Sequence, residues 1–147
     1  MGLPVTVTVG PLVAADDDGV SLSQTAAAAQ YLVVNGAKAW ITNSVEGHIL
    51  AVLVKTDPRA QPPHQGMSLL LIEKGPGFKV VRKLDKLGYR GIDTAELLFE
   101  DCRVPAANLV GTSEGRGLQQ VLAGLELGRI NVAARGAGLA RACLEES

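Results

Sequence analysis

The stretch that decides the fold is residues 35–43, which read NGAKAWITN. An apolar run ends at the Asn-Gly pair, a dipeptide that favours a tight turn between two strands. A second strand is predicted for residues 39–42, and because side chains alternate faces along a strand, Trp40 and Thr42 should point the same way. Taken alone, a Trp near a Thr in a strand is most simply explained by core packing and β-propensity.

Short apolar or alternating runs on both sides of this stretch predict a β domain over residues 31–104. Turn residues, such as the Gly-Pro-Gly segment at 75–77, separate the runs. Several short strands at this spacing indicate a small β-barrel or sandwich. The expected strands cover residues 31–35, 39–42, 49–55, 67–73, 78–82 and 95–99.

After Pro105 the pattern becomes helical. No proline interrupts residues 114–145, and apolar residues recur there at helical spacing, at Leu118, Val121, Leu122 and Leu125. One long α-helix is therefore expected. A single helix cannot bury its own apolar stripe, so the helix should belong to an incomplete helical domain. Its exposed stripe over residues 118–139 predicts aggregation or association.

These patterns predict a mainly β protein with three parts. Residues 1–30 form an N-terminal segment without a clear core pattern, residues 31–112 a β-barrel or sandwich domain, and residues 113–147 the first helix of a helical domain; the family resemblance described below implies that these two are a middle domain and a C-terminal domain. We expect the sequence to be a truncated piece of a longer protein, because the remainder of that helical domain is missing.

Composition excludes several classes of function. Fourteen basic and fifteen acidic residues give a formal net charge of −1, so no basic field indicates a nucleic-acid partner. No apolar run approaches the roughly 18 residues of a membrane span. Two cysteines and two histidines give no metal-binding cluster and no disulfide framework. We expect free thiols, no metal site and a cytoplasmic location.

Five further motifs follow in order along the chain: residues 86–94 (KLGYRGIDT), 96–105 (ELLFEDCRVP), 108–111 (NLVG), 115–118 (GRGL) and 125–130 (LELGRI). In this order and at these spacings, they and the Trp-Ile-Thr run resemble the acyl-CoA dehydrogenase family of flavoenzymes. The resemblance extends from about residue 25 to the C-terminus. It is specific, because five separate motifs fall in one order.

The resemblance implies that FAD is the cofactor and that Trp40, Ile41 and Thr42 bind it. In the family this segment lies against the flavin: the Trp covers one edge of the ring system, and the Thr donates near N5, which accepts hydride. An aromatic wall and one well-placed donor suit a cofactor that carries the redox chemistry itself.

The resemblance also implies that Glu126 and Arg129 contact the CoA part of the substrate. They are three residues apart on the predicted helix and therefore share a face. Most relatives have Asp where this chain has Glu126. The simpler alternative is a solvated ion pair worth about 0.2–0.5 kcal/mol.

No catalytic base can be assigned. In most of the family the base is a Glu in the later helical domain, and in a minority it immediately precedes the Arg, where this chain has Gly128. Residues 9–18 also depart from the Leu-Thr-Glu-Pro and Gly-Ser-Asp runs that relatives carry. Asp93 or Thr94 is expected to cap a turn, with Arg90 bridging loops. The Gly-Arg-Gly run at 115–117 is more simply a loop-to-helix turn than an anion site.

The implied function is FAD-dependent α,β-dehydrogenation of an acyl-CoA to a trans-2-enoyl-CoA, in lipid or related acyl catabolism. The implied partners are an acyl-CoA substrate, an electron-transferring flavoprotein as acceptor, and further copies of the chain, since the family usually forms homotetramers. Two alternatives stay open. The chain could be a non-catalytic β-domain remnant that does not bind FAD, or an acyl-CoA oxidase-like flavoprotein that passes its electrons to oxygen.

Overall fold

A computed structural model describes residues 6–8 and 31–147 of the chain. Within these ranges the protein is mainly β with one C-terminal helix, as predicted. Its elements are β1 (Thr6–Thr8), β2 (Tyr31–Thr42), β3 (Ile49–Lys55), a 3-10 turn (Pro63–Gly66), β4 (Met67–Glu73), β5 (Phe78–Lys83), β6 (Thr94–Pro105), a second 3-10 turn (Ala106–Asn108) and α1 (Gly117–Glu145).

The described strands form one sheet in the order β4-β3-β1-β2-β6-β5. Neighbouring strands run antiparallel, except that β1 is parallel to β3. On the outer side of β4, an isolated bridge joins Leu70 to Leu109. Closure into a barrel would need β4 to pair with β5, and no such pairing occurs among the described residues. The closed barrel therefore stays a prediction.

The Asn-Gly pair at 35–36 is not a turn, and that prediction is wrong. β2 continues through it, and β6 lies alongside both halves of β2. The pairing register shifts between Val34 and Gly36, which creates a β-bulge. Asn35 holds the bulge closed: its Nδ2 donates to Asp101 Oδ1 at 3.2 Å, and its Oδ1 accepts from the Asp101 backbone N–H at 2.8 Å.

The core is lined almost entirely by the sheet. Phe99 meets Phe78 edge to face with 5.5 Å between ring centroids. The helix contributes only Gly117 to the buried residues. Because one sheet supplies the whole cluster, the sheet must curl around it. The cluster consists of Leu32, Val34, Leu50, Val52, Val54, Leu70, Ile72, Leu97, Phe99, Cys102 and Val104.

The start of α1 is packed tightly against β4. A Cβ atom on Gly117 would lie 2.4 Å from the carbonyl carbon of Ser68. The backbone N–H of Gly115 donates to Ser68 Oγ at 3.0 Å. The rest of the helix exposes large apolar side chains, as predicted, at Leu122, Leu125, Leu127, Ile130, Val132, Leu139 and Leu144.

The change from strands to helix falls between Pro105 and Gly117. The proposed domain boundaries near residues 30 and 112 stay predictions. Of the N-terminal segment, the structure describes only β1, which lies between β2 and β3 in the sheet. The departure from the family pattern at residues 9–18 lies outside the described residues.

Candidate functional site

Trp40 is unusual both in its backbone and in its exposure. Its φ is 62°, in the left-handed region that bulky residues rarely adopt. It lies in a second bulge, where the register between β2 and β6 shifts between Lys38 and Ile41. Its side chain is 73% exposed. Core packing therefore does not explain Trp40. Backbone strain of this kind costs about 1–3 kcal/mol and is concentrated at binding and active sites.

Ile41 and Thr42 differ from each other in their surroundings. Ile41 pairs with Ala95 and packs against the core, whereas Thr42 pairs with Thr94 and is exposed. The bulge interrupts the regular strand geometry at Trp40, and the prediction that Trp40 and Thr42 lie on one face stays a prediction. Both side chains reach solvent, and within the described residues the Thr42 hydroxyl makes no hydrogen bond. We call residues 40–42 the Trp-Ile-Thr edge.

The turn after the Trp-Ile-Thr edge is fixed by buried polar groups. Ser44 is fully buried, and its hydroxyl donates to the carbonyl oxygen of Ile41 at 2.8 Å. The backbone N–H of Asn43 donates to the carbonyl oxygen of Asp93 at 2.9 Å. These bonds tie the end of β2 both to its own turn and to the residue before β6.

The Asp93 carboxylate completes this support. It accepts hydrogen bonds from the backbone N–H groups of Val45 at 2.8 Å and Glu46 at 3.2 Å. Burial acts to raise the pKa of Asp93, but the backbone donors at Val45, Glu46 and Ser44, with the charge of Lys83, outweigh it and hold the pKa below its ordinary value. Of the two residues expected to cap a turn, Asp93 does so.

The loop at residues 84–93 connects this region to α1. Its base is closed by the backbone N–H of Leu84, which donates to the carbonyl oxygen of Thr94 at 2.8 Å. Near its tip, Tyr89 has a φ of 58°. The Arg135 guanidinium of α1 lies over the Tyr89 ring, 5.3 Å from its centroid. The loop and the helix therefore meet through one cation–π contact.

Glu126 and Arg129 lie one turn apart on α1, and both are exposed. Within the described residues neither forms an ion pair, so the simple i,i+3 pair is not present. Glu126 lines an open cavity of about 870 Å³ between the start of α1 and the first 3-10 turn. Arg129 is not among its lining residues. The others are His64, Gln65, Glu114, Gly115, Arg116, Leu118, Gln119, Leu122 and Ala123.

The Gly-Arg-Gly run at the start of α1 has a packing explanation. A Cβ atom on Gly115 would lie 2.3 Å from the carbonyl oxygen of Gln65, and Gly115 has a φ of 82°. The side chain of Arg116, the residue before α1, contacts the first turn of that helix: its Nη2 donates to Gln119 Oε1 at 3.2 Å. These contacts support the loop-to-helix interpretation over an anion site.

The two sets of predicted site residues lie on different elements of the fold. The Trp-Ile-Thr edge lies at the end of β2 beside the start of β6. Glu126 lies on α1, which packs against β4, β3 and the first 3-10 turn. No hydrogen bond or ion pair joins the two groups in the described part of the chain. Toward its C-terminal half, α1 meets the loop at 84–93 through Arg135 and Tyr89.

Two further classes of site were sought in the same residues. In the ranges 6–8 and 31–147, no group of three or more His, Cys, Asp and Glu side chains is arranged to hold a metal ion. No helix in those ranges combines the length and the apolar character needed to cross a membrane. Two features of the described residues suggest binding: the Trp-Ile-Thr edge and the cavity beside Glu126.

Known proteins share this sequence and architecture. The family model described as the acyl-CoA dehydrogenase middle domain matches residues 14–102. The mitochondrial isovaleryl-CoA dehydrogenase of Pongo abelii is 45% identical over 118 residues, which make up 80% of this chain and 28% of the relative.

Solved structures of acyl-CoA dehydrogenases are similar to this chain in sequence and in fold. The glutaryl-coenzyme A dehydrogenase–glutaryl-CoA complex is 30% identical with a TM-score of 0.75, over 97% of this chain and 31% of that one. The acyl-CoA dehydrogenase of Bacillus anthracis complexed with FAD is 26% identical with a TM-score of 0.64, over 86% of this chain and 18% of that one.

The chain belongs to the acyl-CoA dehydrogenase family, a family of oxidoreductases. Its strands correspond to the middle domain of these proteins, and α1 corresponds to the start of the helical domain that follows. It is similar to isovaleryl-CoA dehydrogenase and spans about 28% of that relative's length.

Sequence reasoning missed two parts of this region. Ser44 gave no signal, because a Ser in a turn is common and its burial depends on the tertiary structure. The Tyr89–Arg135 contact joins residues that are far apart in the chain, and one Tyr and one Arg do not predict each other. An exposed Arg without an acidic neighbour three or four residues away was the one available hint.

Proposed function

We propose that this chain is part of an FAD-dependent acyl-CoA dehydrogenase that converts an acyl-CoA thioester to a trans-2-enoyl-CoA. The observation that carries the proposal is Trp40, which combines a φ of 62° with a side chain that is 73% exposed. Folding alone gives no reason to hold a large ring in solvent at the cost of backbone strain. A planar ligand stacked on the ring would supply that reason.

The Trp-Ile-Thr edge has the chemistry to fit a flavin. The Trp40 ring offers an apolar wall, and the Thr42 hydroxyl, which has no hydrogen-bond partner among the described residues, offers a donor near it. Ile41 packs into the core and fixes the strand between them. FAD, when bound, supplies the group that accepts hydride. The protein's part is to hold and orient it and to exclude water from one edge.

Glu126 and Arg129 are the proposed substrate contacts. Glu126 borders the open cavity of about 870 Å³ at the start of α1, which has room for part of a long ligand such as the CoA moiety. Arg129 lies one turn further along the helix, without an acidic partner in the described residues. A guanidinium that is not already paired can bind phosphate or carbonyl oxygens.

The base that removes the α-proton is proposed to lie in the rest of the whole protein. Gly128, the position used by a minority of the family, has no ionisable side chain. An electron-transferring flavoprotein as acceptor and a homo-oligomeric assembly are part of the same proposal. The exposed apolar stripe of α1 supports association.

The flavin part of the proposal is tested by removing one donor. Thr42→Val keeps the shape of the side chain and loses the hydroxyl. One hydrogen bond is worth about 0.5–1.5 kcal/mol, so FAD affinity should fall by about 2–10-fold. The matched control is Thr112→Val, another exposed threonine, which should leave the affinity unchanged. Equal FAD affinity in wild type and Thr42→Val would contradict the role given to Thr42.

The substrate part is tested with CoA thioester titrations. Arg129→Gln should weaken binding, because a charge-assisted contact is lost. Arg141→Gln removes the same charge from the same helix, but Arg141 is already paired with Glu145 at 2.7 Å. It should therefore have little effect. Equal losses in both variants would indicate general electrostatics rather than a specific contact at Arg129.

The oxidase alternative predicts a different acceptor. In the flavin-loaded whole protein, a dehydrogenase should reduce an artificial dye acceptor on addition of acyl-CoA and consume little oxygen. An oxidase should consume oxygen at a comparable rate without the dye. Oxygen consumption as fast as dye reduction would replace the dehydrogenase proposal with the oxidase one.

A further inference from the structure

The contact between Tyr89 and Arg135 joins the loop at 84–93 to α1. The guanidinium lies 5.3 Å from the ring centroid. Within the described residues Arg135 forms no ion pair, whereas Arg82, Arg90 and Arg141 each have a carboxylate partner. In this part of the chain, the Tyr89 ring is the group that the Arg135 guanidinium contacts, through a cation–π attraction.

Tyr89 is itself held in an unfavourable backbone conformation. Its φ of 58° is rare for a bulky residue. Such a conformation persists only where surrounding contacts enforce it. Within its own loop the turn is held by the Ile92 N–H, which donates to the Tyr89 carbonyl oxygen at 3.3 Å, and by Lys86 Nζ, which donates to the Ile92 carbonyl oxygen. The Arg135 guanidinium adds a contact from a different element, α1. Among the described residues, loss of the guanidinium would leave the turn held by bonds within its own loop.

A short series of bonds leads from this turn to the proposed flavin edge. Ile92 is followed directly by Asp93, whose carbonyl oxygen accepts from the N–H of Asn43 at 2.9 Å. The Asp93 carboxylate accepts from the N–H of Val45 at 2.8 Å. Asn43 follows Thr42 in the chain. A shift of the turn at 89–92 would therefore be passed to the end of β2 through one residue, Asp93.

We propose that Tyr89 and Arg135 form a clamp that holds the loop at 84–93 against α1 and so positions the Trp-Ile-Thr edge relative to the helix that carries Glu126 and Arg129. The functional meaning of the clamp rests on the function proposed above. The clamp itself is a physical coupling between a helix and a strand end. Tyr89 and Arg135 are positioning residues, with no part in the chemistry.

The residue types suit this role. A guanidinium is planar and stacks on an aromatic face, whereas a Lys ammonium is a point charge that remains more strongly hydrated. The clamp therefore predicts an order among variants: Tyr89→Phe keeps the aromatic face and should behave as wild type, Arg135→Lys should be intermediate, and Arg135→Gln and Tyr89→Leu should lose the coupling.

Amide hydrogen exchange measures the coupling without any ligand. In Arg135→Gln and Tyr89→Leu, exchange at the Asn43 and Val45 amides should be about two- to fivefold faster, the change expected when an exposed cation–π contact is lost. The amide of Leu70, in the core of β4, should be unaffected. Arg141→Gln, which makes the same charge change on the same helix, should leave the Asn43 and Val45 amides at wild-type rates.

Unchanged exchange at Asn43 and Val45 in Arg135→Gln would overturn the clamp. So would an equal increase at Leu70, which would mean general destabilisation. FAD titration of the same variants then separates the two proposals. Weaker FAD binding in Arg135→Gln, together with wild-type FAD binding in Tyr89→Phe, supports both proposals. Absence of FAD binding in every protein, wild type included, overturns the flavin proposal and leaves the exchange result to decide the clamp.

Discussion

The carboxylate of Asp93 accepts a hydrogen bond from the backbone N–H of Val45 at 2.8 Å, across 48 positions of the chain. This bond joins the residue before β6 to the turn after β2. The Trp-Ile-Thr edge ends immediately before that turn. The position of the proposed flavin edge therefore depends on a buried carboxylate that lies outside it.

Replacement of Asp93 should destabilise the fold locally and globally. Asp93→Ala leaves the N–H groups of Val45 and Glu46 without their acceptor. Both hydrogen bonds are part-buried, so the cost should lie near the lower end of the range of about 1–3 kcal/mol for a buried unpaired donor. The free energy of unfolding from urea titration should fall by that amount. The control is Asp85→Asn. The Asp85 side chain is fully exposed and its ion pair with Arg90 is long, at 3.4 Å, so the substitution should change the free energy of unfolding little. An equally stable Asp93→Ala protein would contradict the anchoring role.

The same carboxylate predicts an acid dependence. The pKa of Asp93 in the folded protein lies below its ordinary value of 3.8. A depressed folded pKa stabilises the fold fully above the unfolded pKa, and the stabilisation is lost as the pH falls through the folded pKa. The stability difference between wild type and Asp93→Asn should thus be constant near neutral pH and shrink below about pH 4. A difference that grows on acidification would have the wrong sign.

The docking of α1 on β4 predicts opposite outcomes at two glycines of one helix. Gly117→Ala would place a Cβ atom 2.4 Å from the Ser68 backbone, which cannot move without disturbing β4. Overpacking of this kind costs about 1–3 kcal/mol. Gly124→Ala meets nothing within 4 Å among the described residues and should stabilise the helix by up to about 1 kcal/mol. Thermal unfolding of the two variants would show whether their effects differ in sign.

The two cysteines should differ sharply in reactivity. Cys143 is exposed near the end of α1, whereas Cys102 is buried in the core. Burial raises the pKa of the Cys102 thiol, which lowers the fraction of reactive thiolate. A thiol reagent should label one site per chain in the folded protein and both in denaturant. Cys143→Ser should abolish the fast reaction, and rapid labelling of the folded Cys143→Ser protein would show that Cys102 is accessible.

Much of the fold could be predicted from local pattern. The strands predicted at 49–55 and 67–73 match β3 and β4 at both ends, and the helix was expected over nearly its whole length. Where the apolar pattern has a clear period, tertiary contacts reinforce the local preference. The length of β6 was missed, because Asp101, with a φ of 48°, lies in a bulge that resembles a strand end in sequence.

The Asn-Gly pair at 35–36 shows why the rest was not predictable. A hairpin would have paired the residues before it with those after it. In the structure both halves pair with β6 instead, and the Asn35 side chain fills the bulge opposite Asp101. The local turn preference is outweighed by a longer ladder of non-local hydrogen bonds, in which paired residues of β2 and β6 lie between 52 (Thr42–Thr94) and 74 (Tyr31–Pro105) positions apart.

The candidate site, like the fold, could be predicted from the sequence only in part. The residue types at 40–42 and 126–129 could be singled out from motifs, and Asp93 from its place before a strand. The left-handed backbone conformation of Trp40 could not be predicted from the sequence, because a Trp adopts this conformation only where tertiary contacts impose it. The clamp between Tyr89 and Arg135 depends on how α1 lies against the loop, which no local pattern reports.

The most direct test of the flavin proposal is FAD binding by residues 1–147. The protein would be mixed with FAD and freed of excess, and its visible flavin spectrum recorded together with the emission of Trp40, the one tryptophan in the chain. A retained flavin with a shifted spectrum and quenched Trp40 emission is the predicted result. A folded, colourless protein with unchanged Trp40 emission would contradict the proposal and favour a β-domain remnant that does not hold FAD.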